Sequence, residues 1–128
     1  MASTGSVSSW DEALLTAMVQ YPVPVITGPQ DIQVQVDKIC TCLANPKAGY
    51  PDLDLIVFPE YSTQGLNTKI WTYDEMLLRI DSPEIDRFRQ ACKDNDVWGV
   101  FSLMEVNDDP SLPPFNTAII INSVLDVQ

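Results

Sequence analysis

The chain has 128 residues, 45% hydrophobic and 20% charged, which suits one folded domain and argues against a disordered chain. Eighteen acidic against seven basic side chains give a net charge of -11, so nucleic-acid phosphates and anionic membrane surfaces would repel it, and neither nucleic acid nor membrane is an expected partner. With no histidine, the sequence can build no Ser/His/Asp triad, no Cys/His dyad and no imidazole metal site, and neither a metal nor another cofactor is expected.

Residues 1–9 are small and polar, with Ser3, Ser6, Ser8 and Ser9, and read as a flexible N-terminal tail. They have neither the basic start nor the apolar run of a secretory or transit peptide. Three cysteines without such a signal read as reduced thiols, and the cytoplasm is the expected compartment.

The domain is expected to start at Trp10. Ala13 to Tyr21 is apolar at nearly every position, as in a strand covered on both faces, and Pro22 and Pro24 end it. Gly28 and Pro29 suit an N-cap and first helical position, and Asp31 favours the helix dipole. Ile32, Val36, Ile39 and Leu43 then form one buried helical stripe, down to Asn45-Pro46. The second strand is Leu53 to Phe58, stopped by Pro59. After a polar stretch from Ser62 to Lys69, Thr72 and Glu75 have capping-box spacing ahead of a short helix through Met76-Leu77-Leu78. A second helix starts at Ser82-Pro83, with Ile85, Phe88 and Cys92 on one face as far as Asn95. Val97–Val106 and Phe115–Asn122 are two strands joined by a Pro/Asp/Asn loop. The order predicts an α/β fold whose first three strands are parallel and whose last pair is antiparallel.

Glu60 is the most informative residue. It puts a carboxylate just past the carboxyl end of a parallel strand, where open α/β sheets gather reactive groups. From position alone, a surface glutamate bonded to nearby amides is the commoner outcome. Two readings stand equally for Tyr61: lining a pocket, or packing beside the strand end with its hydroxyl bonded locally.

The run Phe58-Pro59-Glu60-Tyr61-Ser62-Thr63-Gln64-Gly65-Leu66-Asn67-Thr68 resembles the segment around the catalytic glutamate of the nitrilase superfamily of carbon-nitrogen hydrolases, in its formamidase and aliphatic amidase branch. Further segments match in the same order: Gln20–Pro24, Lys47–Pro51, Val97–Glu105 and Phe115–Ile121. The resemblance implies the N-terminal part of an α-β-β-α sandwich, a mixed sheet with helices on one face. An apolar face and a strand edge should then stand open, because a second sheet packs there in that fold.

The reaction implied is hydrolysis of formamide or a short aliphatic amide to carboxylic acid and ammonia, through a cysteine thioester. Glu60 corresponds to the general base, better suited to it if shielded by apolar strand ends, and Tyr61 to a substrate-pocket residue. In the family a lysine follows the strand equivalent to Phe115–Asn122, and the nucleophilic cysteine lies further on. Residues 123–128 contain no lysine, so residues 10–128 are expected to be an incomplete domain, inactive alone. Cys92 reads as a buried structural thiol, and Cys40 and Cys42, two apart on a helix, as core or boundary residues. The expected partners are a small amide and other subunits, either as a homo-oligomer or by association with full-length subunits. The alternative is a non-catalytic truncated paralogue acting as an interaction module.

Overall fold

The computed structural model describes residues 13–124; the expected tail at 1–9, the domain start at Trp10 and residues 125–128 lie outside the described residues. Along the chain run β1 (Thr16–Met18), α1 (Pro29–Gly49), β2 (Leu55–Val57), α2 (Pro83–Asp94), β3 (Trp98–Glu105) and β4 (Phe115–Ile121). They form one sheet in the order β1-β2-β3-β4, parallel through β3 and antiparallel between β3 and β4, as the sequence order predicts.

Helix α1 begins as expected, with Gly28 extended at the cap and Pro29 in the first turn. Asp31 accepts from both the backbone amide and the hydroxyl of Thr27, at 2.8 Å each, and these bonds lower its carboxyl below the usual range. The stripe Ile32, Val36, Ile39 and Leu43 is buried throughout. The helix does not stop at Asn45-Pro46 but runs on to Gly49. Pro46 forfeits only one intrahelical bond so near the end. The last turn is tied down by Tyr50 N donating to Pro46 O (2.8 Å) and Lys47 Nζ to Leu53 O (2.8 Å).

The short helix expected after Thr72 is replaced by two 3-10 turns, Ile70–Thr72 and Asp74–Met76. Thr72 turns its hydroxyl back onto Lys69 O (2.9 Å) instead of capping forward. Leu78 leaves these turns to bridge β3 in parallel, donating to Met104 O (3.0 Å) and accepting from Val106 N (2.9 Å). Helix α2 starts at Pro83 as expected and buries Ile85, Phe88 and Cys92, but the Ser82 hydroxyl bonds Arg79 rather than the helix.

Both helices cover one face of the sheet. Their stripes join Ile56, Phe101 and Leu103 in a single core, with Ala17, Ile119 and Ile121 packed against it. At its centre Phe101 stacks between Phe58 and Phe88, with ring centroids 5.3 and 4.5 Å away. Each such burial contributes about 1.5–3 kcal/mol. The strand pairing puts Met18, Val57, Trp98, Val100 and Ile120 on the other face. There Met18, Trp98 and Ile120 are 81%, 48% and 67% exposed, the open apolar face anticipated above. No helix among the described residues is long and apolar enough to cross a membrane.

Candidate active site

Strand β3 is longer than β2, and the chain beyond β2 keeps company with the rest of it. Phe58 N makes the last ladder bond, to Val100 O (3.0 Å), and Pro59 then ends the strand. From Tyr61 to Gln64, side chains and loop amides replace the missing ladder. Tyr61 N donates to Ser102 Oγ (3.1 Å), and Thr63 Oγ1 donates to Ser102 O (2.7 Å). Gln64 Oε1 accepts from Met104 N (2.7 Å), while its Nε2 donates to Met104 O and Met76 O, both at 2.9 Å. From the helix side, Gln35 Nε2 (2.8 Å) and the Tyr21 hydroxyl (3.2 Å) both donate to Ser62 O.

Ser62, Thr63 and Gln64, the start of the polar stretch, are therefore buried. Their polar groups substitute for a strand, and burial is tolerated because these bonds satisfy most of them. Two local features make the turn. Tyr61 adopts φ 59, a left-handed conformation that costs a non-glycine residue about 1 kcal/mol or more. Gly65 has φ +68 and lies so close to the 24–26 segment that a Cβ there would meet Pro24 O at 2.4 Å.

At the head of this pinned turn stands Glu60. Its side chain is exposed, not shielded by strand ends. Glu60 Oε1 accepts from Asn116 Nδ2 of β4 at 2.5 Å. Together with Ser102 and Ala118, these two residues line a depression of about 260 Å³ opening on the uncovered face of the sheet. Among the described residues no lysine or arginine pairs with Glu60; the ion pairs join Arg79 to Asp108, Arg87 to Asp37 and Arg89 to Asp86. Tyr61 is half-buried, its ring stacked on Trp71 at 5.8 Å between centroids. Burial raises its hydroxyl above the usual range, and the neighbouring Glu60 carboxylate adds to the effect.

The larger hollow of about 820 Å³ beside Trp71 and the 107–114 loop offers less chemistry. Its Arg79 and Asp108 already pair with one another at 2.9 Å. The cysteines are not activated either. Cys92 is buried between α2 and the sheet, and burial pushes its thiol up to about 12. Cys40 and Cys42 are half-buried, as expected, with thiols raised by burial too. Arg87 acts on Cys40 in the opposite sense, but burial and Asp37 outweigh it, so none of the three is primed as a nucleophilic thiolate.

The sequence reading missed Asn116 and Gln64. A signal existed for the first: asparagine is depleted in strands, yet this one stands between Phe115 and Thr117 near the start of a strand-like run that ends in three isoleucines. For Gln64 there was none, since nothing local distinguishes a buried amide from a solvated one.

Residues 15–124 match a family model described as carbon-nitrogen hydrolase. The chain is 76% identical over 123 residues to a formamidase of Photorhabdus laumondii, covering 96% of this chain and 36% of that protein. A formamidase of Nitratidesulfovibrio vulgaris is 52% identical over 123 residues, covering 96% of this chain and 37% of the relative. The chain thus spans about a third of the length of these curated relatives. Among solved structures, Saccharomyces cerevisiae Nit3, a member of branch 10 of the nitrilase superfamily, shares the fold with a TM-score of 0.69 at 17% identity, over 86% of this chain and 40% of that one.

Proposed function

This chain belongs to the carbon-nitrogen hydrolase family, and we propose that it serves the hydrolysis of formamide, or of another short aliphatic amide, to carboxylic acid and ammonia. The observation that carries this reading is the 76% identity to a formamidase along nearly the whole of this chain, the Glu60 turn included. In the proposed reaction Glu60 takes the proton of a cysteine thiol as the sulfur attacks the amide carbon and passes it to the amide nitrogen, so that the C–N bond breaks, ammonia leaves and a thioester remains. It then helps activate the water that cleaves the thioester to the acid and the free thiol. A lysine stabilises the tetrahedral oxyanion. Within these 128 residues the reading assigns only the base and a pocket residue, Tyr61, whose hydroxyl feels the Glu60 carboxylate. The reading expects the lysine and cysteine in the remaining length of the enzyme, of which this chain matches 36% in the Photorhabdus relative. The cytoplasm is the proposed compartment, where three free thiols stay reduced.

The experiment uses a hybrid in which this chain replaces the corresponding third of the Photorhabdus formamidase. Glu60→Gln keeps size and shape but removes the proton acceptor, and turnover of formamide should fall about a hundred- to ten-thousandfold with the fold intact. Glu105→Gln is the control: that carboxylate is bonded to Thr117 Oγ1 (2.8 Å) on the opposite face, and its loss should leave turnover within about twofold. Near-normal turnover in Glu60→Gln would sink the assignment. The 128-residue chain by itself should release no ammonia. A second reading, an association module that binds other subunits, draws on the open face of Met18, Trp98 and Ile120.

A further inference from the structure

We propose that Asn116 is the positioning residue of Glu60, holding one carboxylate oxygen so that the other faces the depression where a thiol and an amide would meet. The inference rests on the reading of Glu60 as base.

Three observations carry it. Asn116 and Glu60 are 56 residues apart and come together only because β4 returns antiparallel beside β3, opposite Met104. The contact is a hydrogen bond from a neutral amide to a carboxylate, stronger than one between neutral groups. Asn116 is also exposed and outside the core, so packing does not explain an asparagine in a strand that otherwise favours branched apolar residues.

The backbone of Glu60 is already fixed by the turn through Gln64, but its side chain has several rotatable bonds and stands exposed at the strand end. Without a partner it would sample rotamers that point its oxygens elsewhere, and ordering it at each turnover would cost free energy. Asn116 is an uncharged donor, so it can hold one carboxylate oxygen without setting a counter-charge beside it. The two jobs are thereby divided: the turn fixes where the carboxylate starts, and Asn116 fixes where it points.

In the hybrid enzyme, Asn116→Ala should lower kcat about ten- to a hundredfold with KM within about twofold and an unchanged unfolding temperature. In a Glu60→Gln background the same substitution should cost nothing further, because a residue acting through Glu60 has nothing left to position. If Glu60→Gln abolishes turnover while Asn116→Ala leaves kcat intact, the positioning role is overturned and the base stands. If neither change affects kcat, the reading of Glu60 itself fails. Equal losses in both backgrounds, or a loss that follows a lowered unfolding temperature, would mean that Asn116 only supports the strand. The pair can also be read without turnover, by nuclear magnetic resonance of the folded hybrid. Glu60 side-chain couplings should report one rotamer with Asn116 and averaged rotamers in Asn116→Ala; averaging in both hybrids would overturn the proposal.

Discussion

On the helix-covered face of the sheet Ile56 and Phe101 are buried to within 1% of completely, while one residue along each strand Val57 and Val100 look out on a face where Met18 and Ile120 meet solvent. The two faces carry much the same chemistry, valine, isoleucine and aromatic rings, so hydrophobicity alone does not say which is inside. The difference is that α1 and α2 lie over only one of them. A continuous apolar strip on the other is the kind of surface that proteins cover with something else. Glu60 and Asn116 stand at the margin of that uncovered face, so the candidate site opens on the side that the helices leave bare.

The largest expected effect tests the closed face. Phe101→Ala removes the ring stacked between Phe58 and Phe88 and should cost about 3–5 kcal/mol, seen as a large drop in the urea midpoint or outright loss of the cooperative transition. A loss below about 1 kcal/mol would mean that the two helices do not seal this face as described.

How dry the closed face is can be read from Cys92. Its thiol ionises near its ordinary 9.0 in the unfolded chain and near about 12 in the folded one, because burial penalises the thiolate. Between these values the folded chain holds a proton that the unfolded chain has released. Stability is therefore full below pH 9 and declines as pH rises towards about 12. Urea midpoints compared at about pH 8 and about pH 10.5 should fall for the native sequence, and fall less for Cys92→Ala. At neutral pH a thiol reagent should reach Cys40 and Cys42 well before Cys92. Identical pH dependence in the two chains would show that the Cys92 environment admits water.

Much of the architecture was legible in the sequence because it is written in periodicities: the stripe from Ile32 to Leu43, the face of Ile85, Phe88 and Cys92, and the proline stop after β2. The first strand was not, since it covers only Thr16–Met18, ends before Pro22, and leaves Met18 81% exposed instead of covered on both faces. The position of Glu60 was legible for the same reason, since Pro59 marks where β2 must end. What could not be read were contacts between distant residues. Whether Ser62–Gln64 is solvated or buried depends on β3 outrunning β2 and leaving Ser102 and Met104 in need of partners, some forty residues away. The helix forecast at Thr72 failed through a local competition, as the hydroxyl bonded backwards to Lys69 O. The exposure of Glu60 was misjudged because apolar strand neighbours in sequence say nothing about what stands above a strand end.

The smallest effect gives the sharpest contrast, because it comes from adjacent residues of the same kind. Ile119 pairs with Phe101 and packs on the core, whereas Ile120 pairs with Val100 and faces out. Threonine keeps the branched β-carbon that strands favour, so either change to threonine alters mainly what the side chain does to its surroundings. Ile119→Thr should cost about 1–3 kcal/mol, since it trades a packed ethyl group for a hydroxyl with no assured partner. Ile120→Thr should move stability by no more than about 0.5 kcal/mol. It should, however, reduce self-association and the binding of an apolar dye, and adding Trp98→Ser should reduce both further, because the open strip is shortened without disturbing the core. Should Ile120→Thr prove as costly as Ile119→Thr, the outer face must be packed against something in solution, and the comparison between a closed and an open face would collapse into two closed ones.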